Sequence, residues 1–123
     1  MLKFLLDEHI SPEVAEGLRG RHDKLVVLSL AEWQAGRFMG QADELLLLEA
    51  VSQKLTLVTY DRKTIPPLLK AWAEAGRDHG GVIFVDQKTI PSSDFGGLVR
   101  ALQLLFQESL NWDRSNRICF LRR

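Results

Sequence analysis

The sequence predicts an α/β fold in three α/β/α layers, with a mostly parallel central sheet of about five strands. Three observations carry this. Short apolar runs alternate with helical stretches in the order β-α-β-α-β-α-β-α-β. The runs are nearly continuous in Leu, Val, Ile and Phe, as strands covered on both faces require. Right-handed crossovers between parallel strands then leave few topologies. A length of 123 residues suits one domain, spanning 1–123.

Residues 2–6 read as the first strand. Ser11 is a good N-cap and Pro12 suits the first helical position, so a helix runs from Pro12 to about Arg19. Val14 stands where a capping box needs an acid or glutamine, which makes the cap partial. Val14, Ala15 and Leu18 share one face, and Gly20 ends the helix. Residues 25–28 read as the second strand. Residues 31–40 lack a clear period, hold two glycines and read as a loop. From Gln41 a helix runs to about Gln53; Leu45 to Leu48 are all leucine, which predicts a well-buried helix.

Residues 55–60 give the third strand. The next helix runs from about Ile65 to Ala75, with Pro66 and Pro67 in its first turn and Leu68, Leu69, Trp72 and Ala73 as an apolar stripe. Gly76, Gly80 and Gly81 bracket a loop before the fourth strand, 82–85. Ser92 or Ser93 starts the last helix, which runs to about Ser109, and residues 117–121 form a final, shorter strand. There is no internal repeat, low-complexity segment or linker.

Sixteen basic and sixteen acidic residues give a net charge of zero. That argues against bulk electrostatic binding of nucleic acid and leaves room only for a local basic patch. The single cysteine, Cys119, rules out an internal disulfide and fits a reducing compartment. It lies in an apolar run and reads as a small buried hydrophobe. Asp7 and Glu8 interrupt any signal-peptide core, and no apolar stretch approaches a membrane span. A cytoplasmic protein without a membrane partner is the expectation.

Acidic residues carry the functional signal. Asp7 closes the first strand, Asp61 the third, and Asp43 opens the helix between them. Ligands of open α/β sheets bind outside the carboxyl ends of the strands, so a first strand near the centre sets Asp7 beside Asp61. Such a pocket of oxygen ligands suits Mg²⁺ or Mn²⁺. Phosphodiester hydrolysis needs a positioned water and stabilised oxygen charge, and carboxylate-held cations supply both. Glu8 and Glu44 flank these acids, Asp86 also ends a strand, and the Thr59 hydroxyl could orient a carboxylate or a water. Each acid also has an ordinary explanation as a turn or cap residue. Arg62 and Lys63 adjoin Asp61, and Arg37 precedes Asp43, so these three are the candidates for contact with a phosphate backbone. His9 follows the first acids and could reach the pocket, whereas His22 and His79 lie in loops without partners at metal-ligand spacing.

Leu5-Leu6-Asp7-Glu8-His9-Ile10-Ser11-Pro12, Ala42-Asp43-Glu44-Leu45, Leu57-Val58-Thr59-Tyr60-Asp61 and Gly81-Val82-Ile83 together resemble the PIN-like family of small prokaryotic proteins called DUF5615. That family is similar to the PIN-domain nucleases, which include toxins of toxin–antitoxin pairs. The resemblance covers roughly residues 1–110. It implies a PIN-like α/β/α fold and a Mg²⁺- or Mn²⁺-dependent ribonuclease site at Asp7, Asp43 and Asp61, with RNA as substrate. It also brings an antitoxin protein and a homodimer into view as partners, with Trp112 and the apolar last helix as candidate surfaces for the second. The chain departs from the family in two places. Lys63 and Thr64 stand where a further acid often follows the Thr-x-Asp, and Glu8-His9 replaces the commoner Glu-Asn.

Two other readings compete. A degenerate PIN-like protein would only bind a partner, which the missing acid at 63 and the neutral charge favour. A receiver-like phosphoacceptor domain would use Asp7-Glu8 and Asp61. It needs a hydroxyl residue ending the fourth strand and a lysine ending the fifth, where Asp86 and Arg122-Arg123 stand.

Overall fold

In the computed structural model, which describes residues 2–21, 24–30, 32 and 43–122, β1 (Lys3–Leu6) lies inside the sheet. Successive strand side chains point to opposite faces. Phe4 and Leu6 therefore pack into one helical layer and Leu5 into the other. The remaining strands are β2 (Val26–Ser29), β3 (Thr56–Thr59), β4 (Val82–Phe84) and β5 (Ile118–Phe120). The sheet runs β2-β1-β3-β4-β5, and every neighbouring pair is parallel. Helices α1 (Pro12–Arg19) and α4 (Phe95–Glu108) cover the Phe4 face, and α2 (Asp43–Ser52) and α3 (Ile65–Glu74) cover the Leu5 face. The three layers and five strands are those the sequence predicts.

The winding direction reverses between β1 and β3: the chain steps outward from β1 to β2, then returns to β3 on the other side. This makes the carboxyl ends of β1 and β3 the topological switch point, where open α/β sheets place their ligand crevice. Leu6 is level with Val58, and the Asp7 amide donates to the Val58 carbonyl at 3.0 Å. Asp7 and Thr59 thus leave the sheet side by side.

Local chemistry fixes the helices. The Ser11 hydroxyl accepts from the Glu13 amide at 3.2 Å, with Pro12 in the first turn, as expected. Gly17 brings α1 against α4; a Cβ there would stand 2.8 Å from Val99 Cγ2. The last helix starts later than Ser92 or Ser93. Asp94 is its N-cap and accepts from the Gly97 amide at 2.9 Å. Gly97 selects that cap, because a side chain there would run into the Asp94 carboxylate.

The leucine run of α2 is not buried all round. Leu46, Leu47 and Ala50 face the sheet, while Leu45 is 50% and Leu48 37% exposed. At 3.6 residues per turn only one stripe of a helix can meet a sheet. The expected start of this helix at Gln41, and the loop expected over 31–40 apart from Glu32, lie outside the described residues. Cys119 is half-buried rather than buried, because it sits on an edge strand. Burial pushes its thiol above the usual range, and the Arg117 charge opposes this. Among the described residues no helix is long and apolar enough to cross a membrane.

His79 is buried just ahead of β4, and its Nδ1 accepts from the Gly81 amide at 3.0 Å. Burial pushes the imidazole below its ordinary value, with Asp78 opposing. The folded pKa therefore lies under the unfolded value of about 6.5. The unfolded chain binds the proton first, so stability is full above pH 6.5 and declines as pH falls below it. His79→Asn, which keeps an acceptor near the Gly81 amide, is expected to flatten this decline in denaturant melts between pH 7 and 5. An unchanged slope would contradict the assignment.

Candidate functional site

Asp7 is the first residue beyond β1 and is only 7% exposed. One carboxylate oxygen, Oδ1, accepts from the Glu8 amide at 2.7 Å. The other, Oδ2, accepts from the hydroxyl of Thr59, the last residue of β3, at 2.6 Å. Thr59 is fully buried. Its oxygen also accepts from the Asp61 amide at 3.0 Å. One hydroxyl therefore ties both acidic strand ends together across the switch point.

The Asp61 carboxylate sits at the start of the turn into α3. Its Oδ1 accepts from the amides of Lys63 at 2.9 Å and Thr64 at 2.8 Å. It does the anchoring that Thr64, at the N-cap position, does not do with its own side chain. Burial raises the Asp61 pKa, but the Thr64 and Lys63 amides, the Thr64 hydroxyl and the charge of His9 together hold it below the usual carboxylate range. Asp61 is thus a carboxylate at neutral pH, and His9 is close enough to act on it electrostatically.

Among the described residues no Lys, Arg or His makes an ion pair with Asp7 or with Asp61, and Asp7 is the more deeply buried of the two. A buried carboxylate without a cation is costly. Two hydrogen bonds, from the Glu8 amide and the Thr59 hydroxyl, offset part of that cost.

The other candidates spread out. Asp86, expected to complete the pocket, instead pairs with Arg62 at 3.2 Å and accepts from the Lys88 amide at 2.9 Å. Glu44 lies 3.7 Å from Arg77, whose guanidinium covers Trp72 in the last turn of α3. That is the opposite end of the helix from Asp61. Glu8 is exposed beside Asp7. Arg62, expected to meet RNA, is taken up by Asp86 and by the Phe120 ring, 5.4 Å away. Lys63 keeps an exposed side chain next to Asp61. Arg37 and the side chain of Asp43 lie outside the described residues. Among the described residues no three His, Cys, Asp or Glu side chains gather to hold a metal ion. What the crevice assembles is the pair Asp7 and Asp61, joined through Thr59.

The Thr59 bridge was partly legible. A hydroxyl two residues ahead of an acid can accept that acid's amide locally. The burial that makes it a donor to Asp7 comes only from the fold. Thr59→Val keeps the shape and removes the hydroxyl, leaving a buried carboxylate short of a donor and the Asp61 amide short of an acceptor. The expected cost is about 2–3 kcal/mol in urea denaturation. Thr59→Ser should recover most of it, and equal losses in both variants would contradict the bridge.

No family model, no curated protein and no solved structure matches this chain.

Proposed function

We propose that the protein is a divalent-cation-dependent endoribonuclease of the PIN-like type. In this reading Mg²⁺ or Mn²⁺ is held at the switch point by Asp7 and Asp61, with Asp43 completing the set. The observation that carries the reading is Asp7: a carboxylate 7% exposed at the end of β1, with no cationic side chain paired to it among the described residues. A bound divalent cation supplies charge stabilisation at phosphoryl oxygens and a more acidic water. Thr59 and the Glu8 amide hold the Asp7 carboxylate in place before any ligand arrives. Asp61 stays ionised at neutral pH for the reasons given above. Lys63, and Arg37 in the approach to α2, are the groups suited to phosphate contact; Arg62 would have to leave Asp86 to join them. In the toxin setting that the resemblance suggests, an antitoxin protein would control this site.

One set of observations favours a second reading, a PIN-like protein that binds a partner without hydrolysis. Lys63 replaces a further acid, while Glu44 and Asp86 are turned to arginines. The strand order also suits a phosphoacceptor domain. Asp86 and Arg122, however, stand where that chemistry needs a hydroxyl and a lysine.

Incubation of end-labelled single-stranded RNA with Mn²⁺, Mg²⁺ or EDTA tests the proposal. Internal cleavage with either cation and none with EDTA is the expected result. Metal binding without cleavage would move the assignment to the second reading.

A further inference from the structure

β5 is the last strand of the sheet, and among the described residues nothing pairs with its outer edge. Its inner side is fixed by two bonds. The Arg117 carbonyl accepts from the Val82 amide at 2.9 Å, and the Leu121 amide donates to the Phe84 carbonyl at 2.8 Å. Alternate residues of a strand address opposite neighbours, so Ile118 and Phe120 turn their amides and carbonyls to the open edge. Their side chains are 49% and 59% exposed.

A groove lies on each face of this strand, mostly apolar on the α3 side and mixed on the α4 side, where Thr89, Glu108 and Arg122 join the lining. On the α3 side, a cavity of about 670 Å³ is walled by Leu69, Ala73, Phe84, Ile118 and Phe120. On the α4 side, one of about 910 Å³ is walled by Leu104, Leu105, Trp112 and Cys119. An added strand sends alternate side chains to opposite faces, so a single extended segment paired with β5 fills both grooves.

Charge selects the occupant. Arg117 and Arg122 bracket β5 and Lys70 lines the α3 groove, while Arg62 and Arg77 nearby are already paired with Asp86 and Glu44. Asp78 in that groove is taken by the Asn116 amide at 2.8 Å. A second copy joined edge to edge in antiparallel fashion would bring the Arg117 end of each β5 towards the Arg122 end of the other, and facing like charges destabilise a strand pair. We infer that the β5 edge docks an extended segment of a partner protein, apolar at alternate positions and acidic at both ends. This does not depend on the proposed hydrolysis.

The test is fluorescence anisotropy with a fluorescein-labelled peptide in which a valine-phenylalanine-valine core is flanked on each side by two aspartates. Saturable binding is expected. Phe120→Ser and Arg122→Glu should each weaken it about tenfold or more. A peptide with lysines for the aspartates, or with methylated core amides, should not bind. Hydrogen exchange at Ile118 and Phe120 should slow on binding. Phe120 is 59% exposed but its ring lies 5.6 Å from that of Phe84, so Phe120→Ser should cost about 1 kcal/mol and stay folded in melts, which separates lost docking from lost folding. The inference is overturned if the acidic peptide does not bind, or if binding ignores Phe120→Ser and leaves exchange at Ile118 and Phe120 unchanged. It is also overturned if sedimentation finds a dimer that Phe120→Ser dissolves, which would assign the edge to a second copy.

Discussion

Asp7→Asn is expected to lower metal-dependent RNA cleavage by on the order of 10²–10³-fold, the scale of losing one group that stabilises transition-state charge. The fold should survive the change. An amide of nearly the same shape can still accept from the Glu8 amide or the Thr59 hydroxyl, and it removes a buried charge that pairs with no cation among the described residues. Relief of that charge offsets the weakened hydrogen bonds, so cation-free stability should stay within about 1 kcal/mol of wild type. The second half of the prediction is a shift with ligand. Mn²⁺ at roughly a hundred times its Kd should stabilise the wild type by about 2.7 kcal/mol and leave Asp7→Asn nearly unmoved. Thermal melts with and without Mn²⁺, beside the cleavage assay, check both halves. A cation-free protein badly destabilised by Asp7→Asn would make Asp7 a structural anchor.

Gly81→Ala is expected to cost about 2–4 kcal/mol. Gly81 has φ +94°, a conformation that L side chains rarely adopt, and a Cβ would stand 2.9 Å from the Arg114 carbonyl and 3.3 Å from Thr56 Cγ2. The residue has no freedom to move away. Its amide is held by His79 Nδ1, and its carbonyl accepts from the Leu57 amide at 3.2 Å. For a domain of this size the loss corresponds to a fall in Tm of roughly 8–15 °C. Gly76→Ala is the matched control, since Gly76 also has positive φ but nothing within 4 Å of a built Cβ. It should cost only the backbone strain, about 1 kcal/mol. Similar losses at the two positions would show that packing at the entrance to β4 is unimportant.

Strand identity was legible because a strand covered on both faces leaves an unbroken apolar run, and each of the five runs became a strand. Their ends were less legible. Leu25, Leu55 and Val85 continue the apolar runs past the paired residues, because burial extends beyond the hydrogen-bonded ladder. The start of α4 was hidden among three adjacent cap residues, and the choice of Asp94 depends on the missing side chain of Gly97. The exposure of Leu45 and Leu48 was masked by a run too uniform to show a face.

At the site, Asp7, Thr59 and Asp61 could be read from their positions at strand ends, since parallel topology brings such residues together. The partners of Glu44 and Asp86 could not. Arg77 and Arg62 reach them from other elements, and nothing local in the sequence encodes an ion pair across that separation. His79 looked like an ordinary loop residue because Asn116, which holds its backbone amide and carbonyl, is distant in sequence.

In the function proposed here, the β1–β3 switch point is a divalent-cation site. Calorimetric titration of Mn²⁺ into the wild type and into the double variant Asp7→Asn, Asp61→Asn tests it most directly. Saturable binding to the wild type that is lost in a folded double variant is the expected result. No binding to the wild type, or equal binding to both, would contradict the account and leave Asp7 and Asp61 as the residues that tie two strand ends to a buried threonine.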